Sequence, residues 1–259
     1  VALIASIIVV GVLVIAGRGL APWVAAPMPT ESDAPAPASV HSDALQRAIQ
    51  ATVQVIAPDP TSPSGFSAGS GTVVDAAQGI ILTNFHVIGD PRSAEAAEPN
   101  TIQIAVTPPG SNQPPETLYL ASVVEADNRL DLAVLRITAR RNGGSLPDSL
   151  ELTDAPLGDS AGVAIGDAIT ILGYPGLGGD TITLTRGSVS GFVDGWIKTD
   201  AEINHGNSGG AAIDAAGRLI GVPSAGVSEE VSDERLPGKI GLVRPIDQAR
   251  RLLERAGVN

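Results

Sequence analysis

Short runs of Val, Ile, Leu and Thr, none much longer than a single strand and each closed off by turn-forming residues, constrain this chain more than any other feature. They fall at residues 52–56, 71–74, 80–83, 101–106, 118–124 and 132–137, and again at 168–172, 181–189, 196–199, 211–213, 219–222 and 240–243. Apolar runs of this length between turn signals read as β-strands, and their steady recurrence is the pattern of an all-β sandwich or barrel. The 30 Gly and 20 Pro among 259 residues break up any longer helical periodicity, so little helix is expected.

The two sets of runs are separated by residues 140–148, where Asn142-Gly143-Gly144 and Pro147 supply turn chemistry and little hydrophobicity. Two barrels side by side are therefore suggested, the first over about 51–140 and the second over about 150–245. A short helix fits 41–50, ahead of the first strand. At the other end Pro245 stands where a first helical turn tolerates proline, Ile246, Ala249, Leu252 and Leu253 keep helical spacing, and Gly257 ends the pattern. This helix, over 246–256, is expected to pack on the second barrel.

Residues 1–17 carry no charged side chain and only Ser6 as a polar one, before Arg18 and Trp23. That run lies between the length of a secretory core, about 7–15 apolar residues, and that of a spanning helix, about 20. Trp23 at a membrane interface suits an anchor, whereas Ala25 and Ala26 suit removal as a signal peptide; both place the rest of the chain outside the cytoplasm. Residues 24–40 are rich in Ala, Pro and small polar side chains, which cannot bury enough apolar surface to offset their ordering entropy. The expected division is thus a transmembrane or signal segment over 1–23, a linker over 24–40 and a folded domain over 41–259.

With 16 Lys and Arg against 28 Asp and Glu, the net charge of -12 would repel a phosphate backbone, and nucleic acid is not an expected partner. The absence of cysteine removes thiol catalysis, disulfides and cysteine-rich zinc sites.

Gly206-Asn207-Ser208-Gly209-Gly210 sets a serine among glycines, where backbone N–H groups can approach a carbonyl that the serine attacks. The same string also suits a glycine-rich hairpin, so the decision turns on whether the serine has a base. The G-x-S-x-G elbow of the α/β-hydrolases takes its histidine after the serine, and none follows Ser208. Of the three histidines, His41 adjoins the linker and His205 shares the serine's own loop, which leaves His86. His86 follows the apolar run 80–82 where a strand gives way to a turn, a rigid mount for an imidazole; a hydrogen-bonded core histidine is the alternative. Asp131 stands at the mouth of the apolar run 132–135 and could accept the imidazole N–H, whereas its rival Asp127 precedes the polar pair Asn128-Arg129. A plain turn aspartate is the other reading of Asp131.

Three segments in the order His, Asp, Ser resemble the HtrA/Deg branch of the trypsin-like serine proteases. They are Ile81-Leu82-Thr83-Asn84-Phe85-His86-Val87, Asp131-Leu132-Ala133-Val134-Leu135, and the stretch 199–210 that contains Ile203-Asn204-His205-Gly206-Asn207-Ser208. The resemblance covers roughly residues 44–257. It implies a chymotrypsin-like pair of six-stranded antiparallel barrels with the site in the cleft between them. It also implies peptide-bond hydrolysis through an acyl-enzyme, with His86, Asp131 and Ser208 as the triad and no metal or organic cofactor. Gly206, Asn207 and Ser208 would form the oxyanion hole, through the N–H groups of Gly206 and Ser208. Ile203 matches the floor of the primary specificity pocket, which suggests small or medium aliphatic residues before the scissile bond. Val222, Ser224, Ala225 and Gly226 would form its wall, an edge strand able to pair with an extended peptide, so substrates should be unfolded or loop-like proteins.

Two positions depart from the family pattern, Glu202 where alanine is frequent and His205 where proline is. Many relatives continue into PDZ domains, whereas this sequence stops at Asn259, and a PDZ-held substrate is not expected. Many relatives form trimers, and a homotrimer is allowed for. The polar loops 94–100, 108–116 and 228–238 read as solvated surface. Two functions follow: a membrane-tethered extracytoplasmic endopeptidase of quality-control or regulatory type, secreted if the leader is removed, or a latent chaperone-like, peptide-binding protein on the same fold.

Overall fold

The computed structural model describes residues 42–59, 62, 64–90, 92, 95–110, 113–175, 181–225 and 240–258. The apolar segment and linker expected over 1–40 lie outside the described residues, as does Gly226. No helix among the described residues is long and apolar enough to cross a membrane.

Helix α1 (Ser42–Ala51) runs directly into β1 (Thr52–Pro58), followed by β2 (Phe66–Asp75) and β3 (Ile80–Thr83). A single-turn helix α2 (Phe85–Ile88) and a two-stranded hairpin, β4 (Gly89–Asp90) with β5 (Glu95–Ala96), come next; neither has a periodicity long enough to register in the sequence. Strands β6 (Ile102–Val106), β7 (Glu116–Asp127) and β8 (Leu132–Arg140) complete an antiparallel barrel closed in the order β1-β2-β3-β8-β7-β6. The second barrel uses β9 (Ala168–Gly173), β10 (Thr183–Val193), β11 (Trp196–Thr199), β12 (Ala211–Ile213), β13 (Leu219–Pro223) and β14 (Gly241–Pro245), closed as β10-β11-β14-β13-β12-β9. Both barrels are thus six-stranded and antiparallel, as the strand pattern and the resemblance led one to expect. The β10–β11 turn shows the local logic: Asp194 and Gly195 have φ of 45° and 78°, the pair of positive values that a tight two-residue hairpin turn demands.

The apolar runs of β3 and of the first four residues of β8 are unbroken because both of their faces are buried. Side chains alternate along a strand. Ile81, Ala133, Leu135 and Ile137 fill the first barrel with Val53, Val55, Ile102 and Ile104. Their neighbours Ile80, Leu82, Leu132 and Val134 face outward and join Leu172, Ala211 and Ile213 of the second barrel, Ala48 and Ala51 of α1, and the C-terminal helix. A third cluster, including Ile169, Ile171, Ala212 and Val243, fills the second barrel.

Helix α3 (Ile246–Arg255) does not pack on the second barrel alone. Ile246, Ala249, Leu252 and Leu253 enter the layer shared by both barrels. Arg255 reaches Glu125 on β7 (Nε to Oε2, 2.8 Å), and Arg136 on β8 donates to the Ala256 carbonyl at 2.8 Å. The apolar stripe predicted from spacing is there, but the face it meets is the junction rather than one barrel. At its start, Asp247 Oδ2 accepts from Ser160 Oγ (2.7 Å) and Ala161 N–H (2.9 Å), while Oδ1 accepts from Arg250 Nε at 2.8 Å. Burial pushes the Asp247 carboxyl up, but the bonds from Arg250, Ser160 and Ala161 outweigh it and hold the group below the usual carboxylate range.

Candidate active site

Strand register brings the candidate residues to one end of the barrel junction. Thr83 of β3 lies opposite Ala133 of β8, so His86, just past β3, and Asp131, just before β8, emerge at the same end. Ala212 of β12 lies opposite Gly221 of β13, so Ser208, ahead of β12, and Ser224, just past β13, also emerge together. The two pairs are linked across the junction: Ser224 Oγ donates to Asp131 Oδ2 at 3.1 Å, and Ser70 N–H on β2 donates to the Ser208 carbonyl at 2.8 Å.

His86 Nδ1 lies 2.8 Å from Asp131 Oδ2 and 3.0 Å from Oδ1, and the His86 backbone N–H donates to Oδ1 at 3.0 Å. A carboxylate only accepts, so this pairing puts the imidazole proton on Nδ1 and leaves Nε2 as an acceptor. Asn84 Nδ2 donates to the Asp131 carbonyl at 2.7 Å, fixing the same residue from its backbone side. Asp131 has φ of 56°, a left-handed conformation that aspartate tolerates better than bulkier residues. Asp127 acts on the backbone instead. Its Oδ1 accepts from the N–H groups of Arg129 and Leu130 at 2.9 and 3.0 Å, tying the turn that leads to Asp131.

Around Ser208 the backbone is densely bonded. Asn207 N–H donates to the Asn204 carbonyl (2.9 Å), Gly209 N–H to Pro223 (3.0 Å) and Gly210 N–H to Asn207 (3.0 Å). Gly206 and Gly209 have φ of 97° and 83°. Among the described residues the N–H groups of Gly206 and Ser208 enter no hydrogen bond. The Ser208 hydroxyl oxygen accepts from Ala225 N–H at 3.0 Å, and no hydrogen bond joins it to His86 among the described residues. His205 is exposed on this loop.

The expected pocket wall differs from its sequence reading. β13 is not an edge strand: it pairs with β12 on one side and β14 on the other, Val222 lying opposite Arg244, and Ser224 N–H still donates to Leu242 at 3.0 Å. Barrel closure has taken the backbone of the Val222 to Ser224 part of this wall, and the Val222 side chain, 1% exposed, belongs to the shared core. Ile203 and Ala225 sit together in the cluster of the second barrel, and the Ser224 hydroxyl is directed to Asp131. On the first-barrel side a cleft of about 560 Å³ opens beside His86, with Pro58, Ser67, Ile88, Asp90 and Glu98 among its lining.

Several residues around the site were given no role by the sequence, Thr83 and Asn84 entering only as part of the segment that carries the family resemblance. Ser70 and Thr83 are small polar side chains within strands, and their partners lie on other elements; Asn84 sits between β3 and α2 and bonds a residue before β8.

In comparison with known proteins, residues 69–222 match the family described as trypsin-like peptidase domain. A probable periplasmic serine protease, do/HhoA-like, from Haemophilus influenzae is 30% identical over 194 residues, covering 72% of this chain and 36% of that protein. Serine endoprotease DegS from Escherichia coli K12 is 31% identical over 194 residues, covering 72% of this chain and 47% of its own length. Among solved structures, the serine endoprotease from Yersinia pestis matches with a TM-score of 0.59 at 31% identity, over 82% of this chain and 64% of that one. The chain spans less than half the length of these curated relatives.

Proposed function

The chain belongs to the trypsin-like peptidase domain family, and on that premise we propose that it is a serine endopeptidase with Ser208 as nucleophile, His86 as base and Asp131 as the group that orients the base. The observation that carries this reading is the pairing of His86 Nδ1 with the Asp131 carboxylate at the barrel end where Ser208 also emerges. Ser208 Oγ attacks the substrate carbonyl carbon while its proton passes to His86 Nε2. The C–N bond then breaks, the departing amine takes that proton, and water releases the acyl group from Ser208 by the same route. The N–H groups of Gly206 and Ser208, flanking Asn207, hold the oxyanion; losing one such donor costs about 100 to 1,000-fold in rate.

Ile203, Ser224, Ala225 and Gly226 border the substrate's residue before the scissile bond, with Val222 as packing behind them. Substrates are locally unfolded or loop-like proteins, since a chain in the cleft must be extended. The relatives whose names specify a periplasmic protease support an extracytoplasmic site of action. In this reading residues 1–23 are an anchor or signal, 24–40 a spacer and 41–259 the catalytic domain, free to assemble as a homotrimer.

The acceptance of Ala225 N–H by Ser208 Oγ, without a bond to His86, favours a second reading, a latent peptide-binding protein on the same fold. Serine–base bonds are commonly long in unliganded enzymes. Cleavage of unfolded casein and labelling by a fluorophosphonate separate the two. The wild type should do both, and Ser208→Ala should lose labelling and about a million-fold in kcat. A wild type that binds casein but neither labels nor cleaves would establish the latent protein instead.

A further inference from the structure

Ser70 is wholly buried on β2, in the first barrel, yet its hydrogen bonds run mostly to the second. Its hydroxyl donates to the Gly206 carbonyl at 2.6 Å and accepts from Tyr174 N–H, just beyond β9, at 2.8 Å. Its own N–H donates to the Ser208 carbonyl at 2.8 Å, and its carbonyl accepts from Thr83 Oγ1 at 2.6 Å.

A peptide plane is fixed when both its C=O and its N–H are held. The Gly206–Asn207 plane is held by Ser70 Oγ at the oxygen and by the Asn204 carbonyl at the nitrogen. The Ser208–Gly209 plane is held by Ser70 N–H at the oxygen and by the Pro223 carbonyl at the nitrogen. Between them lies the plane that carries Ser208 N–H, and just before them the plane that carries Gly206 N–H. The plane that carries Ser208 N–H is also held at its oxygen by Gly210 N–H (3.0 Å), whereas the plane that carries Gly206 N–H is oriented through its neighbour, and Ser70 anchors the planes on either side of the first and next to the second.

We infer that the Ser70 hydroxyl is a positioning group that holds the oxyanion-binding backbone in register, an inference that rests on the peptidase reading above. It touches no substrate atom. Removing it takes this partner from the half-buried Gly206 carbonyl and from the buried Tyr174 N–H, and frees the Gly206–Asn207 plane to turn. The Ser208–Gly209 plane, anchored by backbone alone, stays in place. The loss should therefore fall on transition-state binding and spare ground-state binding.

The test uses the full chain and a fluorogenic peptide copied from a casein site that the wild type cuts. Ser70→Ala should lower kcat by about tenfold to 100-fold with KM changed less than about twofold, since one anchor of one donor is lost rather than the donor itself. Affinity for a peptide boronate, which presents a tetrahedral oxyanion, should fall by the same factor as kcat. Unchanged kcat in a folded Ser70→Ala, or a loss confined to KM, overturns the inference. If thermal unfolding shows that Ser70→Ala does not fold, Ser70→Cys, similar in size but a weaker donor, replaces it; an intermediate kcat supports the role and a wild-type kcat overturns it. A wild type that neither labels with fluorophosphonate nor cleaves refutes the peptidase reading itself, and the inference with it, a result distinct from any of these.

Discussion

Gly209 has room for a hydrogen and nothing larger. At φ of 83° an L side chain is already disfavoured by about 1–3 kcal/mol, and a Cβ there would run into the Ser70 carbonyl oxygen and Thr83 Oγ1. Neither neighbour can retreat, because they are bonded to each other and wedged between strands. Gly209→Ala should therefore lower stability by about 3 kcal/mol and remove most fluorophosphonate labelling. Wild-type melting and labelling would show that the serine loop adapts. The candidate side chains His86, Asp131 and Ser208 could be named from the sequence because an imidazole, a carboxylate and a glycine-flanked serine are chemically conspicuous. The groups that hold them could not. Ser70 and Gly206 are 136 residues apart, and nothing in a single serine says which distant carbonyl it will face. The left-handed backbone of Asp131 leaves no compositional trace either.

Among the elements, the strands were legible because their apolar runs match the length of a barrel wall, and all twelve barrel strands fall where such runs occur. Their ends were less so. β7 runs from Glu116 to Asp127, past its apolar centre at both ends, because backbone pairing with β6 and β8 continues where side chains turn polar. β10 continues past Val189 through a register shift to Val193, with Gly191 inside it, a residue that reads as a break and acts as a bulge. Helix α3 makes a prediction of its own. The folded-state pKa of Asp247 lies below its ordinary value of 3.8, so its contribution is fully present above that value and is lost as pH falls through the lowered one. Asp247→Asn should cost about 1 kcal/mol near neutral pH, the scale of a lost helix-start hydrogen bond. Urea midpoints of wild type and variant should converge as pH is taken down through 3.8 and below. A gap that persists undiminished in acid would mean the carboxylate's charge contributes nothing.

On the scale of the whole molecule, the layer shared by the barrels should couple their unfolding. Leu82 belongs to the first barrel but is fully buried against side chains of the second, and Leu82→Ala should cost about 2–5 kcal/mol. Trp196 lies in the second barrel, so with Trp23→Phe its fluorescence reports that barrel alone. If the layer couples the two, the Leu82→Ala shift in urea midpoint will be the same by Trp196 fluorescence as by far-ultraviolet circular dichroism. A Trp196 midpoint that does not move would show that the barrels melt separately. The order of strands in the second barrel has a further consequence, for the growing chain. β14 lies between β11 and β13, yet it is synthesised after every other strand and after the Ser208 loop. While a ribosome is still making the segment before Gly241, the first barrel can already present its histidine and aspartate, but the wall that backs the serine stands open. On the peptidase reading proposed above, a chain built in this order would have no working edge during its own translation and would not cut nascent chains until its last strand is in place.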